Sequence, residues 1–257
     1  MNYIVICTVA LAASGLTFFS GFGLGTLLLP AFSLFFPISE AVALTAVVHS
    51  LNGLFKLALV GRNANRKIVL SFGLPAIVAS FAGAWVLVWL SGIPPVFSYE
   101  AFGRVWAVLP VKLVIGFLLL MFGAMEAIPR FSEFSVGPKY IPVGGLLSGF
   151  FGGLSGMQGA LRSAFLIRAG LTKEEFVGTG VVIACLIDIS RIGVYFKSAS
   201  KWTGQLDYWL LAAAVISAFA GAALGNKYIK KLTMGGVQKI VAGMLVAVAA
   251  GLIAGFL

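Results

Sequence analysis

The sequence predicts an all-α polytopic membrane protein of two inverted repeats, each a glycine-broken re-entrant or discontinuous helix followed by three transmembrane helices. Three observations carry this. Only 10% of the 257 residues are charged while 60% are hydrophobic, and the mean hydropathy is +1.06, against about 25% charged in soluble domains. Two apolar stretches, one per half, are interrupted by clustered glycines: GLTFFSGFGLGTLLLP at 15–30 and PVGGLLSGFFGGLSGMQGALRSAFLIRAG at 142–170. Residue types also recur at nearly the same offset: Glu40 and Glu175 begin corresponding spans and Lys56 and Arg191 lie deeper in them, both pairs 135 residues apart, and 23–32 matches 156–165 at an offset of 133. At roughly 20 residues per span, the length holds about eight membrane segments in a single membrane domain. Repeat 1 covers about 1–126, a linker about 127–141, and repeat 2 about 142–257.

Residues 3–36 form the first broken segment, interrupted at Gly21, Gly23 and Gly25. Neither piece comfortably crosses ~30 Å of hydrocarbon, so a hairpin that enters and returns is expected. The stretch has no basic residue before Lys56 and reads as retained structure, not a cleaved signal. Ser39-Glu40 marks the start of a span over 40–60, which carries His49, Asn52 and Lys56. The basic loop 61–67 leads to a span over 68–90 with a kink expected at Pro75. Residues 91–107 form a longer connection with a turn at Pro94-Pro95, and 108–125 the next span. After the polar linker comes the second broken segment. Thr172 then reads as an N-cap with acids in the first turn, opening a span over 175–196 that holds Asp188 and Arg191. Spans at 208–225 and 234–256 are separated by NKYIKKLT.

The net charge is +10, but the basic residues sit in short clusters between apolar spans, so the positive-inside effect explains most of them and nucleic acid is not implied. If each broken segment crossed once, loop cations would split seven and seven. If each returns to its own side, one side holds Arg62, Arg66, Lys67, Arg130, Lys139, Arg168, Lys173, Lys227, Lys230 and Lys231, and the other only Arg104, Lys112, Lys197 and Lys201. The second arrangement obeys the orientation rule, inverts the halves and places both termini outside. Cys7 and Cys185 lie in apolar segments and read as buried thiols, not a disulfide.

The candidate site residues are the polar groups at membrane depth. Arg162 lies four residues after Gln158, on one helix face, behind Gly156 and Gly159; a buried arginine costs at least about 2.5–3.5 kcal/mol and needs a cavity or a partner. It reads as a substrate ligand or as a salt-bridge partner of Asp188. Arg191, three residues after Asp188, reads as its ion-pair partner or as a ligand. Lys56 reads as a ligand, or as a side chain snorkelling to the interface. His49 and Asn52 face the same way as Lys56, and His49 is the natural proton carrier near neutral pH. Asp188 is the one acid deep in a span, a counter-ion or a proton acceptor. Three buried cations against one acid favour an anion over a cation, with N–H groups at the broken-helix ends adding to them. No metal site, cofactor or catalytic constellation is visible: there is no HExxH, CxxC or nucleotide-binding GxxxxGK[ST].

GFGLGTLLLPAF followed by EAVALTAVVHSLNGLFK, and GLLSGFFGGLSGMQGALRSAFL followed by EEFVGTGVVIACLIDISR, resemble the two repeats of the sulfite exporter TauE/SafE family of membrane permeases. The resemblance implies transport of a sulfur-containing anion such as sulfite or an organosulfonate, with proton coupling commonly proposed. It also implies that Gly21, Gly23 and Gly25, with Gly152, Gly153 and Gly156, shape two re-entrant tips. The first motif keeps Pro30; the second has Ser163 there and adds Gln158 and Arg162. The reading is therefore a multi-pass secondary transporter of the cell (inner) membrane, not an enzyme and with no cofactor. It would export a small sulfur anion by alternating access between the halves. Arg162, Gln158, Gly156, Gly159, Arg191, Lys56, Asn52, Gly23 and Gly25 would bind the substrate, and His49 and Asp188 would couple protons. The alternatives are an uncoupled anion channel and a membrane-embedded enzyme or assembly factor.

Overall fold

The computed structural model describes all residues except 1, 21–22, 128–135, 199–206 and 229–233. Gly21, most of the linker and part of NKYIKKLT thus lie outside the described residues. The described chain runs α1 (Asn2–Ser20), α2 (Leu24–Ser33), α3 (Ile38–Val60), α4 (Arg66–Ser91), β1 (Phe97–Ala101), β2 (Arg104–Val108), α5 (Pro110–Ala127), α6 (Ile141–Ser155), α7 (Gly159–Leu166), α8 (Lys173–Ser198), α9 (Tyr208–Tyr228) and α10 (Met234–Ala254). Among the described residues, α3, α4, α8 and α9 are long and apolar enough to cross a membrane. The mostly helical, apolar chain is a polytopic membrane protein.

Helix ends follow local chemistry. Asn65 caps α4 by accepting from the Ile68 N–H at 3.2 Å. Thr172 and Glu175 form a reciprocal capping box at the start of α8: the Glu175 N–H donates to the threonine hydroxyl at 3.2 Å, and the Thr172 N–H to the carboxylate at 2.9 Å. Before α9, Asp207 accepts from the Leu210 N–H and the Tyr3 hydroxyl, which hold its carboxyl below the ordinary carboxylate range.

One element departs from the all-α expectation. The connection after α4 contains the antiparallel hairpin β1–β2, with Phe97 opposite Val108 and Tyr99 opposite Trp106. Phe102 and Gly103 both have positive φ, 53° and 71°, as a two-residue type I′ hairpin turn demands. The hairpin docks on the end of α10, where Tyr99 donates to the Ala254 carbonyl at 2.6 Å and Trp106 meets Phe256 edge-on.

The interior is packed through small residues. Gly145, Gly149 and Gly153 make one face of α6, and a Cβ on any of them would fall within 2.2 Å of the Phe72, Ala76 or Ser80 carbonyl of α4. Backbones approach this closely only where side chains are missing. These glycines, like the Gly83 that meets Phe150, serve helix packing. Gly153 therefore belongs to the α4 interface. A second contact of the same kind joins α1 to α9, where Gly221 meets Leu11 and Gly225 meets Gly15. The longest helices also pack as α3 on α8, α4 on α8 and α5 on α10.

The second broken segment returns to the end it starts from. The Val136 N–H reaches the Ala164 carbonyl at 3.0 Å, joining the approach to α6 to the exit of α7. The loop after α3 meets the beginning of α8 at the same end, where the Asn65 N–H donates to Thr179 at 2.9 Å. Arg62, Arg66, Lys67, Lys139, Arg168 and Lys173 gather there. The hairpin with Arg104, the start of α5 with Lys112 and the end of α10 lie together at the opposite end, and the start of α1 is tied to Asp207.

Candidate functional site

The two helix breaks meet in the middle of the molecule. Gly156 ends α6 in the left-handed conformation (φ 81°), a C-terminal stop that favours glycine. A Cβ on Gly25 would lie 2.7 Å from the Gly156 carbonyl, and one on Gly23 would lie 3.6 Å from the Gly159 nitrogen. Tip therefore packs on tip through backbone. Gly152 faces Ile187 and Gln158.

Around this crossing α3, α7 and α8 bring their polar residues together. Asp188, fully buried, is the hub. Its carboxylate meets His49 Nδ1 of α3, accepts from Gln158 Nε2 at 3.2 Å and from Arg191 Nε at 2.9 Å, and pairs with Arg191 Nη2 at 2.8 Å. Gln158 in turn accepts from Arg162 Nη1 at 3.1 Å, so it links Arg162 to the carboxylate without an ion pair between them. The two open readings of Asp188 resolve in favour of Arg191. The i,i+3 spacing makes this pair local, whereas His49 comes from 139 residues away.

A small cleft opens beside this hub, toward the end where the basic loops gather. Arg162, Lys56, Asn52 and His49 line it, together with Ser163 and Thr17. No aspartate or glutamate does. Lys56 is only 8% exposed and its Nζ lies 3.4 Å from the Ser14 carbonyl, so it turns inward and does not snorkel to the interface. Asn52 accepts from the Ser14 hydroxyl at 3.1 Å. Gly180 leaves room for Arg162, since a Cβ there would stand 3.5 Å from its Nε.

The predicted site residues thus divide. Arg162, Lys56, Asn52 and His49 form the cleft wall; Gln158 and Asp188 lie directly behind it. Arg191 is fully buried beneath Gly156, where a Cβ would meet its Nη1 at 2.7 Å, and it does not reach the cleft. Gly23, Gly25, Gly156 and Gly159 make the crossing of the tips. Three participants went unremarked in the sequence. Ser14 and Thr17, three apart on one face of α1, had a signal in being polar within an apolar helix. Tyr195, whose hydroxyl donates to the Gly153 carbonyl, had only its spacing of four from Arg191.

Charge bookkeeping gives the cleft its sign. Asp188 neutralises Arg191, and the cleft wall carries the cations Lys56 and Arg162 and no carboxylate, in a medium that screens poorly. Among the described residues no three His, Cys, Asp or Glu side chains cluster in a way that would hold a metal ion. The arrangement can attract and desolvate a small anion, with hydroxyl and amide groups to receive hydrogen bonds from a protonated form.

No curated protein matches the chain. The model of the family described as sulfite exporter TauE/SafE matches residues 6–252, and the chain belongs to this family.

Proposed function

From that membership we propose that this chain is a secondary transporter that exports a small sulfur-containing anion such as sulfite or an organosulfonate. The observation that carries the reading is the cleft wall itself. It holds two cations and no carboxylate, where two glycine-broken helices cross between the halves of a membrane protein. Arg162 and Lys56 would neutralise the anion, and Asn52 and Ser163 would offer hydrogen bonds. Gln158 would hold Arg162 in place.

His49 and Asp188 would couple protons. Transfer of a proton to His49 changes the charge of the His49–Asp188–Arg191 cluster from zero to plus one, beside the anion. Alternating access between inverted halves fits the packing. Leu11 and Gly15 against Gly221 and Gly225 repeat the contacts of Gly145 and Gly149 with Phe72 and Ala76, and each pair is related by a constant sequence offset. With the second broken segment returning to its own end, that equivalence supports two halves of opposite orientation. The gathering of basic residues at the cleft end supports placing that end inside, in the cell membrane.

Efflux from proteoliposomes tests the reading, with sulfite, sulfate, thiosulfate, sulfoacetate, taurine and chloride compared with and without a pH gradient. Saturable flux of one sulfur anion, driven by the gradient, is expected. Arg162→Gln should lower it at least about tenfold, the size of a lost charge-assisted hydrogen bond, and His49→Gln should remove the gradient dependence. Flux of many anions indifferent to pH would indicate a channel, and no flux from folded protein would reject transport.

A further inference from the structure

A second cavity, of about 370 Å³, lies at the hairpin end between the start of α3, the end of α4 and the start of α5. Glu40, Ala43, Leu87, Ser91, Lys112 and Tyr195 are in its wall. It faces the opposite end of the molecule from the cleft of Lys56 and Arg162. The two share α3, which carries residues 37–43 in one wall and 49–56 in the other.

Between them runs a continuous buried polar chain. His49, in the first cleft, meets Asp188; Asp188 holds Arg191; and Tyr195, one turn beyond Arg191 on α8, is in the wall of the second cavity. Three buried atoms in this layer lack hydrogen-bond partners among the described residues, the hydroxyl of Thr45 and Arg191 Nη1 and Nη2, and of these Nη2 is ion-paired with Asp188. Thr45 stands on α3 between the two cavities, beside Gly25 and hence beside the crossing of the tips, and Arg191 Nη1 abuts Gly156 at the same crossing. Buried donors of this kind cost free energy unless a ligand or another state of the protein satisfies them. Tyr195 meanwhile donates to the Gly153 carbonyl, which fastens α8 to the last turn of α6 and closes the layer on the second cavity's side.

We propose that the hairpin-end cavity is the second mouth of the same path, that Arg191 and Thr45 are its anion ligands, and that Tyr195 is the shutter that closes it in this state. The proposal rests on the transporter reading above and adds its far side. Arg191 then does in the opposite-facing state what Lys56 does in this one, as their matching places in the two halves of the sequence require. Opening breaks the Tyr195–Gly153 bond and exposes Arg191 to the second cavity, while the first cleft closes on Lys56.

Thiol labelling of the full chain in oriented vesicles tests this, in a background of Cys7→Ala and Cys185→Ala. Ala43→Cys reports the second cavity and Val181→Cys the first, each treated with a membrane-impermeant thiol reagent from either face. The two should label from opposite faces. Tyr195→Phe should raise the Ala43→Cys rate by up to about tenfold, as loss of one buried hydrogen bond allows, and should lower the Val181→Cys rate. Reciprocity separates a shutter from general loosening, which would raise both. Labelling from one face, or rates that move together, would overturn the second mouth. Sulfite should protect Ala43→Cys even when Lys56→Gln has removed the cation of the first cleft. Reciprocal labelling without any sulfite effect would overturn the ligand role of Arg191 and Thr45 and count against the substrate class, while the second mouth would stand.

Discussion

Lys56 and Arg191 are cations at matching places in the two halves of the chain, and their surroundings differ in kind. Lys56 stands in the wall of an open cleft, near the Ser14 carbonyl, with a second cation on the same wall. Arg191 is fully buried, closed off by Gly156 and locked to Asp188. One of these cations thus stands in the wall of a cavity, and the other is held in a buried ion pair. The difference says that burial alone does not make a ligand: in this state the cleft presents Lys56 to an arriving anion and keeps Arg191 on its counter-ion.

Removing that counter-ion should be the harshest way to break the contrast. Asp188→Asn leaves Arg191 buried without compensation, which costs about 3–5 kcal/mol in comparable buried pairs. A large drop in the detergent melting temperature is expected, with most of it recovered in Asp188→Asn combined with Arg191→Met. If Asp188→Asn melts like the parent protein, Arg191 is not held by this carboxylate and the assigned hub is wrong.

Lys56→Gln should do the reverse. Lys56 lines the open cleft and lies near a backbone carbonyl, so its removal should lower the melting temperature far less than Asp188→Asn does. Anion flux should fall by roughly tenfold to a hundredfold, the range of a charge-assisted hydrogen bond. Thermal melting and proteoliposome flux on the same preparation would check both. A stability loss as large as that of Asp188→Asn would erase the distinction between the two cations.

How far this site was legible in the sequence depends on how local each contact is. The Asp188–Arg191 pair and the Gln158–Arg162 link follow from spacings of three and four on a helix, and the shared face of His49, Asn52 and Lys56 from the same geometry. The meeting of His49 with Asp188 and of Lys56 with Ser14 could not be read, because each depends on how helices distant in sequence pack. The glycines of 142–170 were legible as a break only at Gly156. Three of the others, Gly145, Gly149 and Gly153, form a packing face whose partner, α4, carries no obvious matching signal beyond Ala76, Ser80 and Gly83. The hairpin was hidden because Phe102-Gly103 is a poor version of the usual Asn-Gly turn, and its aromatic strands resemble interfacial anchors in so apolar a chain.

The smallest expected effect sharpens the comparison at its edge. Glu40 and Glu175 also hold matching places, yet Glu40 is 6% exposed and lines the hairpin-end cavity, whereas Glu175 is half-buried and closes a capping box with Thr172. The halves therefore use the same acid once beside a cavity and once as an ordinary helix cap. Thr172→Ala removes the cap and should cost about 1 kcal/mol, a modest fall in melting temperature, with anion affinity unchanged because no atom of Thr172 or Glu175 reaches the cleft. A change in affinity would mean that the start of α8 moves with the cleft wall it leads into, through Phe176 and Val177. The cap would then set the position of the wall as well as the stability of the helix.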